Sequence, residues 1–382
     1  MSLKKEIKDY AYAIGIDIIG FTNAAPLLEV QEILFERQKK GLVSAFESDD
    51  LEMRTNPLKL FPQAKSIIVI GVSYYFDEIP KNENGMLAGK IARYARVKDY
   101  HKVLKEKMSK IMEFIKNKLS YMPQHRFLVD TSPLVERAIA RRAGIGWLGQ
   151  NAAIINKVYG TYIVLGEIIT DLELQPDPPE MNECYKCKKC LEVCPAGALS
   201  APYTVNPKRC LSYWTQAKDD IPREIRPLLA NRIVGCDTCQ EICPHNKDIE
   251  KAKETNFTKF EDLRTPDLLG ILKMSNKKFK ELFGQTAASW CGKRVLQRNA
   301  LVALGNSGNR EMVDEIIPYL SDERPQIRLH AAWALGQLGG KKAFEALKNS
   351  LQKEADYKVR REIEESLKNY PAYHKNLPGK QN

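Results

Sequence analysis

The sequence is poor in histidine and has no long apolar run. Five histidines occur in 382 residues, and His125, His245, His330 and His374 are scattered without the spacing of a zinc site. D-x-H-x-x-G does not occur, so no local motif offers a histidine to a metal cofactor. The longest apolar stretch, SIIVIGVSYYF from Ser66 to Phe76, falls far short of the roughly 20 residues that cross a bilayer. The opening MSLKKEIKDYAYAIG lacks the apolar core of a secretory signal. A reducing, cytoplasmic setting without membrane attachment is therefore expected.

Cysteine is what the chain does have, and it is concentrated. Of nine cysteines, eight lie between Cys184 and Cys243, and only Cys291 stands apart. In a reducing compartment such crowding reads as metal binding rather than as a disulfide framework. CYKCKKCLEVCP has four cysteines at spacings of 2, 2 and 3, closed by a proline, while CDTCQEICP has three. In a C-x2-C-x2-C-x3-C-P run one loop wraps three corners of an iron–sulfur cube and the fourth cysteine serves the neighbouring cube. On that pattern Cys184, Cys187, Cys190 and Cys243 hold one cluster. Cys236, Cys239 and Cys194 hold the other, and Cys210, the remaining cysteine of the segment, completes it. Structural zinc is the competing reading. The third cysteine at two-residue spacing and the proline after both runs favour two 4Fe–4S clusters. Cys291, beside Trp290, reads as an ordinary part-buried thiol.

Around this segment the chain changes character twice. IGIDIIGFT (14–22), SIIVIGVSYYF and TYIVLGEIIT (161–170) are short β-branched runs that read as strands. Between them Leu104, Met108, Ile111, Ile115 and Leu119 recur at helical spacing. Residues 1–178 are thus expected to form an α/β (α+β) domain, a sheet covered by helices, whose strand order the sequence does not reveal. Three prolines in LQPDPPEMNE (174–183) break regular structure before a cysteine-rich module over 179–250. In 251–382, LQRNALVALG (296–305) recurs as IRLHAAWALG (327–336) after 31 residues, with a weaker echo in VRREIEESL from Val359. This period points to stacked helix pairs of the HEAT kind, against the plainer reading of an amphipathic bundle. From Ile271 onward there are 20 Lys/Arg against 12 Asp/Glu, most of the chain's formal +11. A basic helical array suits a polyanion.

Three weaker signals lie in the first domain. GIGWLGQN matches G-x-G-x-x-G at Gly144, Gly146 and Gly149, but it follows a helical, Arg-rich stretch rather than a strand. It reads as a helix terminus and turn, not a dinucleotide site. In LVDTSPLVERAIARRAG, Asp130 with Thr131 or Ser132 suits a helix cap; the other reading is a proton donor at a strand end. ARYARVKDYHKVL clusters Arg93, Arg96, Lys98, Tyr100 and His101, either a solvated turn or an anion clamp.

Taken together, ARYARVKDYHKVL, VDTSPLVERAIARRAGIGWLGQN, the paired cluster motifs with GCDTCQEICPHN, and LQRNALVALG with its repeat resemble the epoxyqueuosine reductases, relatives of the reductive dehalogenases. The resemblance spans nearly the whole chain. It implies a cobalamin in the first domain without a histidine ligand from the protein, and a ferredoxin-like module feeding it electrons. It also implies reduction of epoxyqueuosine at the tRNA wobble position to queuosine. By the same resemblance Asp130 is the proton donor, which displaces the capping reading, and Tyr100 and Arg137 lie near the substrate and cofactor. Arg54, Arg93, Asp130, Ser212 and Gln216 contact cobalamin, and the basic repeats receive the anticodon stem-loop of the tRNA. The electron donor is unidentified, and a monomer is expected. Two alternatives stand beside this reading: a dehalogenase-like corrinoid enzyme acting on a small molecule, and a non-enzymatic electron carrier on a helical-repeat scaffold.

Overall fold

Four runs become the strands of one antiparallel sheet, three of them rich in Ile, Val and Gly. The computed structural model describes residues 2–76, 87–181, 184, 187–257, 260, 263–368 and 370. In it β1 (Ile18–Asn23), β2 (Ser66–Ser73), β3 (His125–Leu128) and β4 (Ile163–Thr170) stand in the order β1-β2-β4-β3. Ile67 of β2 pairs with both Thr22 of β1 and Ile169 of β4, and Leu128 of β3 pairs with Glu167 of β4. Every residue of β2 is buried, which accounts for its unbroken apolar character. The fourth strand, HRFL, is too short and too polar to announce itself in the sequence.

Helix α1 (Leu3–Ala13) packs against α2 (Tyr100–Leu119), and α2 lies on β4. The stripe Leu104, Met108, Ile111 and Ile115 is buried, as its spacing requires, while Leu119 in the last turn is only half-buried. Asp99 caps α2, its carboxylate accepting the His101 amide N–H, and Ser120 ends the helix in a left-handed conformation (φ 63). Lys107, although on α2, is buried. It donates to the carbonyls of Ile14 and Gly15 and pairs with Glu254 at 2.7 Å. Helix α3 (Glu136–Arg142) follows the loop after β3, and Gly144 then turns the chain with φ 72 into a hairpin of Trp147–Leu148 and Ile154–Ile155. A helix leading to a hairpin is not a dinucleotide-binding turn, so the glycine triplet is a turn signal.

The chain divides into two units that interleave along the sequence. The first comprises Met1–Ile79, Arg93–Tyr213 and Asp237–Glu261, and the second comprises Pro80–Ala92, Trp214–Cys236 and Asp262–Asn382. In the second, the three repeat segments are helices α4 (Gly292–Asn306), α5 (Pro325–Leu338) and α6 (Tyr357–Leu367), with α5 packed against both others. The glycine ending each ALG motif marks a crossing point. A Cβ on Gly305 would lie 2.9 Å from Ala334 Cα, and one on Gly336 would lie 2.6 Å from Ser366 Cβ. The repeat also has a polar anchor. Arg298, fully buried, donates to the carbonyls of Trp214, Ala217 and Asp219, and Asn299 donates to those of Thr215 and Ile233. These bonds satisfy carbonyls at the end of the helix Leu211–Gln216, in the loop after it and in the strand Arg232–Val234. Among the described residues no helix is long and apolar enough to cross a membrane.

Candidate active site and cluster-binding segment

The end of β3 and the start of α2 bring a phenol to a carboxylate. Asp130 follows Leu128 and Val129, and its φ of 55 places it in the left-handed region that aspartate tolerates better than most residues. Its amide N–H donates to Glu136 Oε1. Tyr100, the first residue of α2, donates its hydroxyl to Asp130 Oδ2 at 2.7 Å. His101 stacks on Tyr100 with ring centroids 4.3 Å apart, pairs through Nδ1 with Asp99 at 2.8 Å, and brings Nε2 to 3.8 Å from Asp130 Oδ2. Asp130 caps no helix, since α3 begins at Val135 without a side-chain cap bond. Its carboxylate is 62% exposed although its partner phenol is buried. Burial, and then the Asp130 charge, push the Tyr100 phenol far above its ordinary value, so it stays a donor.

Two further acids stand behind this pair, and neither was a sequence candidate. Burial, then the charge of Asp130, push Glu136 up to about 8. Glu167 of β4 is fully buried with no hydrogen-bond partner for either oxygen, and burial pushes it well above the usual carboxylate range. The available signal was that Glu167 is the single charged residue within TYIVLGEIIT, a strand otherwise fit for the core.

The arginines divide between two footings. Arg54, on a short helix (Leu51–Thr55), is buried and pairs with Glu47 at 2.9 Å. Its carbonyl accepts the Val135 N–H, joining that helix to the start of α3. Arg137, in the first turn of α3, is exposed and donates to the Ala152 carbonyl. Tyr100, Asp130, Arg54 and Arg137 are thus linked through one loop. Arg93 lies elsewhere in the same unit. Its N–H donates to Asp237 Oδ2 at 2.7 Å, and its guanidinium donates to the Phe76 carbonyl and sits over the rings of Tyr75 and Tyr162, 5.1 and 5.4 Å from their centroids. Ser212 and Gln216 are half-buried on the short helix Leu211–Gln216.

Cys184, Cys187, Cys190 and Cys243 surround one pocket, together with Gln150, Asn151, Ile155 and His245. Burial, then the neighbouring Cys243, Cys187 and Cys184, push the Cys190 thiol up to about 11. Such a crowd of sulfurs becomes anionic readily only around a cation. The Asn246 backbone N–H donates to the Cys243 carbonyl at 3.0 Å. Among the described residues no three His, Cys, Asp or Glu side chains are placed to hold a single metal ion; the four thiols ring a pocket instead of converging on a point. Cys194 Sγ accepts the Ala198 N–H at 3.2 Å, Cys210 follows the turn Pro207–Arg209, Cys239 lies in Thr238–Glu241, and Cys236 precedes Asp237. All nine cysteines are free of disulfides. Cys291 is buried, more so than its sequence suggests, and burial pushes its thiol up to about 12. His374 lies outside the described residues.

Residues 54–131 match the family described as Epoxyqueuosine reductase QueG, DUF1730. Residues 183–246 match a 4Fe-4S double cluster binding domain, and residues 288–368 match HEAT repeats. An epoxyqueuosine reductase of Bacillus cereus is 39% identical over 368 residues, covering 96% of this chain and 97% of its own. One of Listeria monocytogenes is 40% identical over 365 residues, covering 95% and 96%. A crystal structure of epoxyqueuosine reductase with a tRNA-Tyr epoxyqueuosine-modified stem loop superposes with a TM-score of 0.91 at 38% identity, covering 96% of this chain and 98% of that one. A Bacillus subtilis epoxyqueuosine reductase, whose catalytic loop is named for an aspartate and is swung out of the active site, superposes with a TM-score of 0.90 at 38% identity, covering the same 96% and 98%.

The raised value of Glu136 has a sign that can be measured. The folded state keeps its proton up to about pH 8, whereas an unfolded glutamate loses it near 4.5. Stability therefore declines as pH rises through that window and levels off above it. In Glu136→Gln this part of the decline is absent, while that of the other raised acids, Asp17, Glu167 and Asp237, remains. The melting temperature of the variant gains on the parent between pH 5 and 8; parallel curves would remove Glu136 as a buried neutral acid.

Proposed function

The chain belongs to the epoxyqueuosine reductase family, and from that footing we propose that it reduces the epoxide of epoxyqueuosine in the tRNA anticodon loop to the alkene of queuosine, with Asp130 as proton donor. The reaction consumes two electrons and two protons and releases the epoxide oxygen as water. The observation that carries the assignment of Asp130 is its bond to Tyr100. A phenol that cannot ionise fixes one carboxylate oxygen and leaves the rest of the group exposed, oriented toward a ligand. His101 and the acids Glu136 and Glu167 surround the proton that this carboxylate handles, and the exposed Arg137 is placed to meet a negative or oxygen-rich group.

We assign cobalamin to the α/β domain over 1–178, with Arg54, Arg93 and Asp130 of that domain and Ser212 and Gln216 from beyond it as its contacts, and without an imidazole from the protein. The residues fit such a ligand in their donor set. A corrin rim carries carboxamides, which both donate and accept, and the loop presents an exposed carboxylate and an exposed guanidinium together. When bound, cobalamin supplies a strongly reducing cobalt centre for the epoxide. The chain's double-cluster domain supplies electrons one at a time. Within it, over 179–250, we assign Cys184, Cys187, Cys190 and Cys243 to one 4Fe–4S cluster, and Cys194, Cys210, Cys236 and Cys239 to the second. Among the described residues the pocket of the first offers one buried N–H donor that no protein acceptor uses, Asn151 Nδ2, which suits the sulfurs of a cluster. The helical repeats, over 251–382, present the excess basic charge to the tRNA stem-loop. The protein acts as a cytoplasmic monomer, reduced by a separate, unidentified electron donor.

Three outcomes test this reading. Asp130→Asn is expected to lower turnover of an epoxyqueuosine-modified stem-loop by about 10²-fold or more in an anaerobic assay with added cobalamin. Its affinity for the stem-loop is expected to stay unchanged; near-native turnover would overturn the proton-donor role. Iron analysis of the reconstituted protein should give about eight irons per chain, falling toward about four in Cys210→Ala. A variant retaining all its iron would free Cys210 from ligation. Stem-loop affinity should fall linearly in log–log form with rising salt; a flat response would remove the basic repeats as the binding surface.

A further inference from the structure

Asn151 stands beside four thiols with half of its carboxamide unused. It lines the pocket of Cys184, Cys187, Cys190 and Cys243 and is 8% exposed. Its Oδ1 accepts the Ala153 N–H at 3.2 Å. That bond settles which end of the amide is oxygen, because a backbone N–H has nothing to gain from the amide nitrogen. The Nδ2 end is buried and meets no acceptor. Leaving such a donor without a partner is costly, and a bound ligand that supplies the acceptor removes that cost.

The turn that carries Asn151 is closed at both ends. Gly149 donates to the Ala153 carbonyl and Ala152 donates to that of Gly149, each at 2.8 Å, and Ala152 adopts φ 61, a conformation uncommon for alanine. A side chain at Gly149 would lie 2.7 Å from Asn151 Oδ1, so the glycine leaves room for the asparagine in this position. The neighbouring Gln150 has another task, since its Nε2 donates to the Cys184 carbonyl and so holds the backbone of a thiol-bearing residue. Asn151 holds nothing comparable. The acceptors that four cysteines bring to this pocket are sulfurs, the thiolates and the sulfides of a cluster.

We infer that Asn151 donates an N–H···S hydrogen bond to the cluster held by Cys184, Cys187, Cys190 and Cys243 and raises its reduction potential. The physical reason is electrostatic: the reduced cluster carries one more negative charge than the oxidised one, so a fixed donor stabilises the reduced form more. Asn151 is thus a tuning residue for electron delivery, not a ligand. The inference rests on the two-cluster reading given above.

The test is an EPR-monitored redox titration of the anaerobically reconstituted full chain. Asn151→Asp keeps the oxygen that accepts the Ala153 N–H and removes the donor, while Asn151→Leu removes the donor without adding charge. The two act by different chemistry, so a folding failure in one leaves the other to decide. In both, the midpoint of one cluster is expected to move downward, so that its reduced fraction at a fixed, poised potential falls severalfold. The other cluster's midpoint and an iron content of about eight per chain are expected to hold. In a Cys210→Ala background the shifted signal should be the one that remains. Unchanged midpoints at full iron content would overturn the inference. A parent protein with about four irons or a single cluster signal would instead overturn the two-cluster reading on which it rests.

Discussion

A phenol that cannot ionise holds an exposed carboxylate, and the first unit is arranged around that bond. Tyr100 opens α2 and Asp130 ends the chain's exit from β3, so the contact exists only because α2 lies on β4 and β3 pairs with β4. Burial raises the phenol and keeps it a donor. The carboxylate, in a left-handed turn whose N–H is taken by Glu136, keeps an exposed face. This combination of fixed direction and open access is what the proposed proton donor would need.

Electron delivery faces the opposite constraint. Burial first, and the neighbouring cysteines second, raise the Cys190 thiol, so the four sulfurs ionise together readily only around a positively charged core. The surrounding polar groups then divide their work. Gln150 braces Cys184, and Asn151 keeps a spare donor. This division suits an electron relay, in which the surroundings set a potential and the ligands set a position.

The helical repeats of the second unit use their buried polar residues for structure. Arg298 and Asn299, adjacent within the repeat motif, consume their donors on carbonyls of 214–233, so their charge and amide are not available to a nucleic acid. The proposed stem-loop contact would then rest on other lysines and arginines of this region, many of them on half-exposed or exposed helix faces. The repeat glycines, read in the sequence only as part of a period, are the points where one helix meets the next.

Cysteine count and spacing, the strand runs, the α2 stripe and the 31-residue period were legible by themselves, because each is a local pattern tied to a fixed geometry: a loop around a cube, a pleat, a helical turn, a stacked pair. The short strand HRFL was not legible, since four mixed residues become a strand only beside β4. Nor could spacing choose between capping and chemistry at Asp130, because both put an acid before a helix; the hydroxyl that Asp130 meets comes from a residue 30 positions away. Glu136, Glu167 and Asn151 show the same limit. Each is an ordinary polar residue in the sequence, and burial, partners and spare donors arise only when distant segments meet. What the sequence determined was which groups are present and how each segment is shaped; which of those groups lose water, and which are left with a free donor or proton, was decided by the tertiary structure alone.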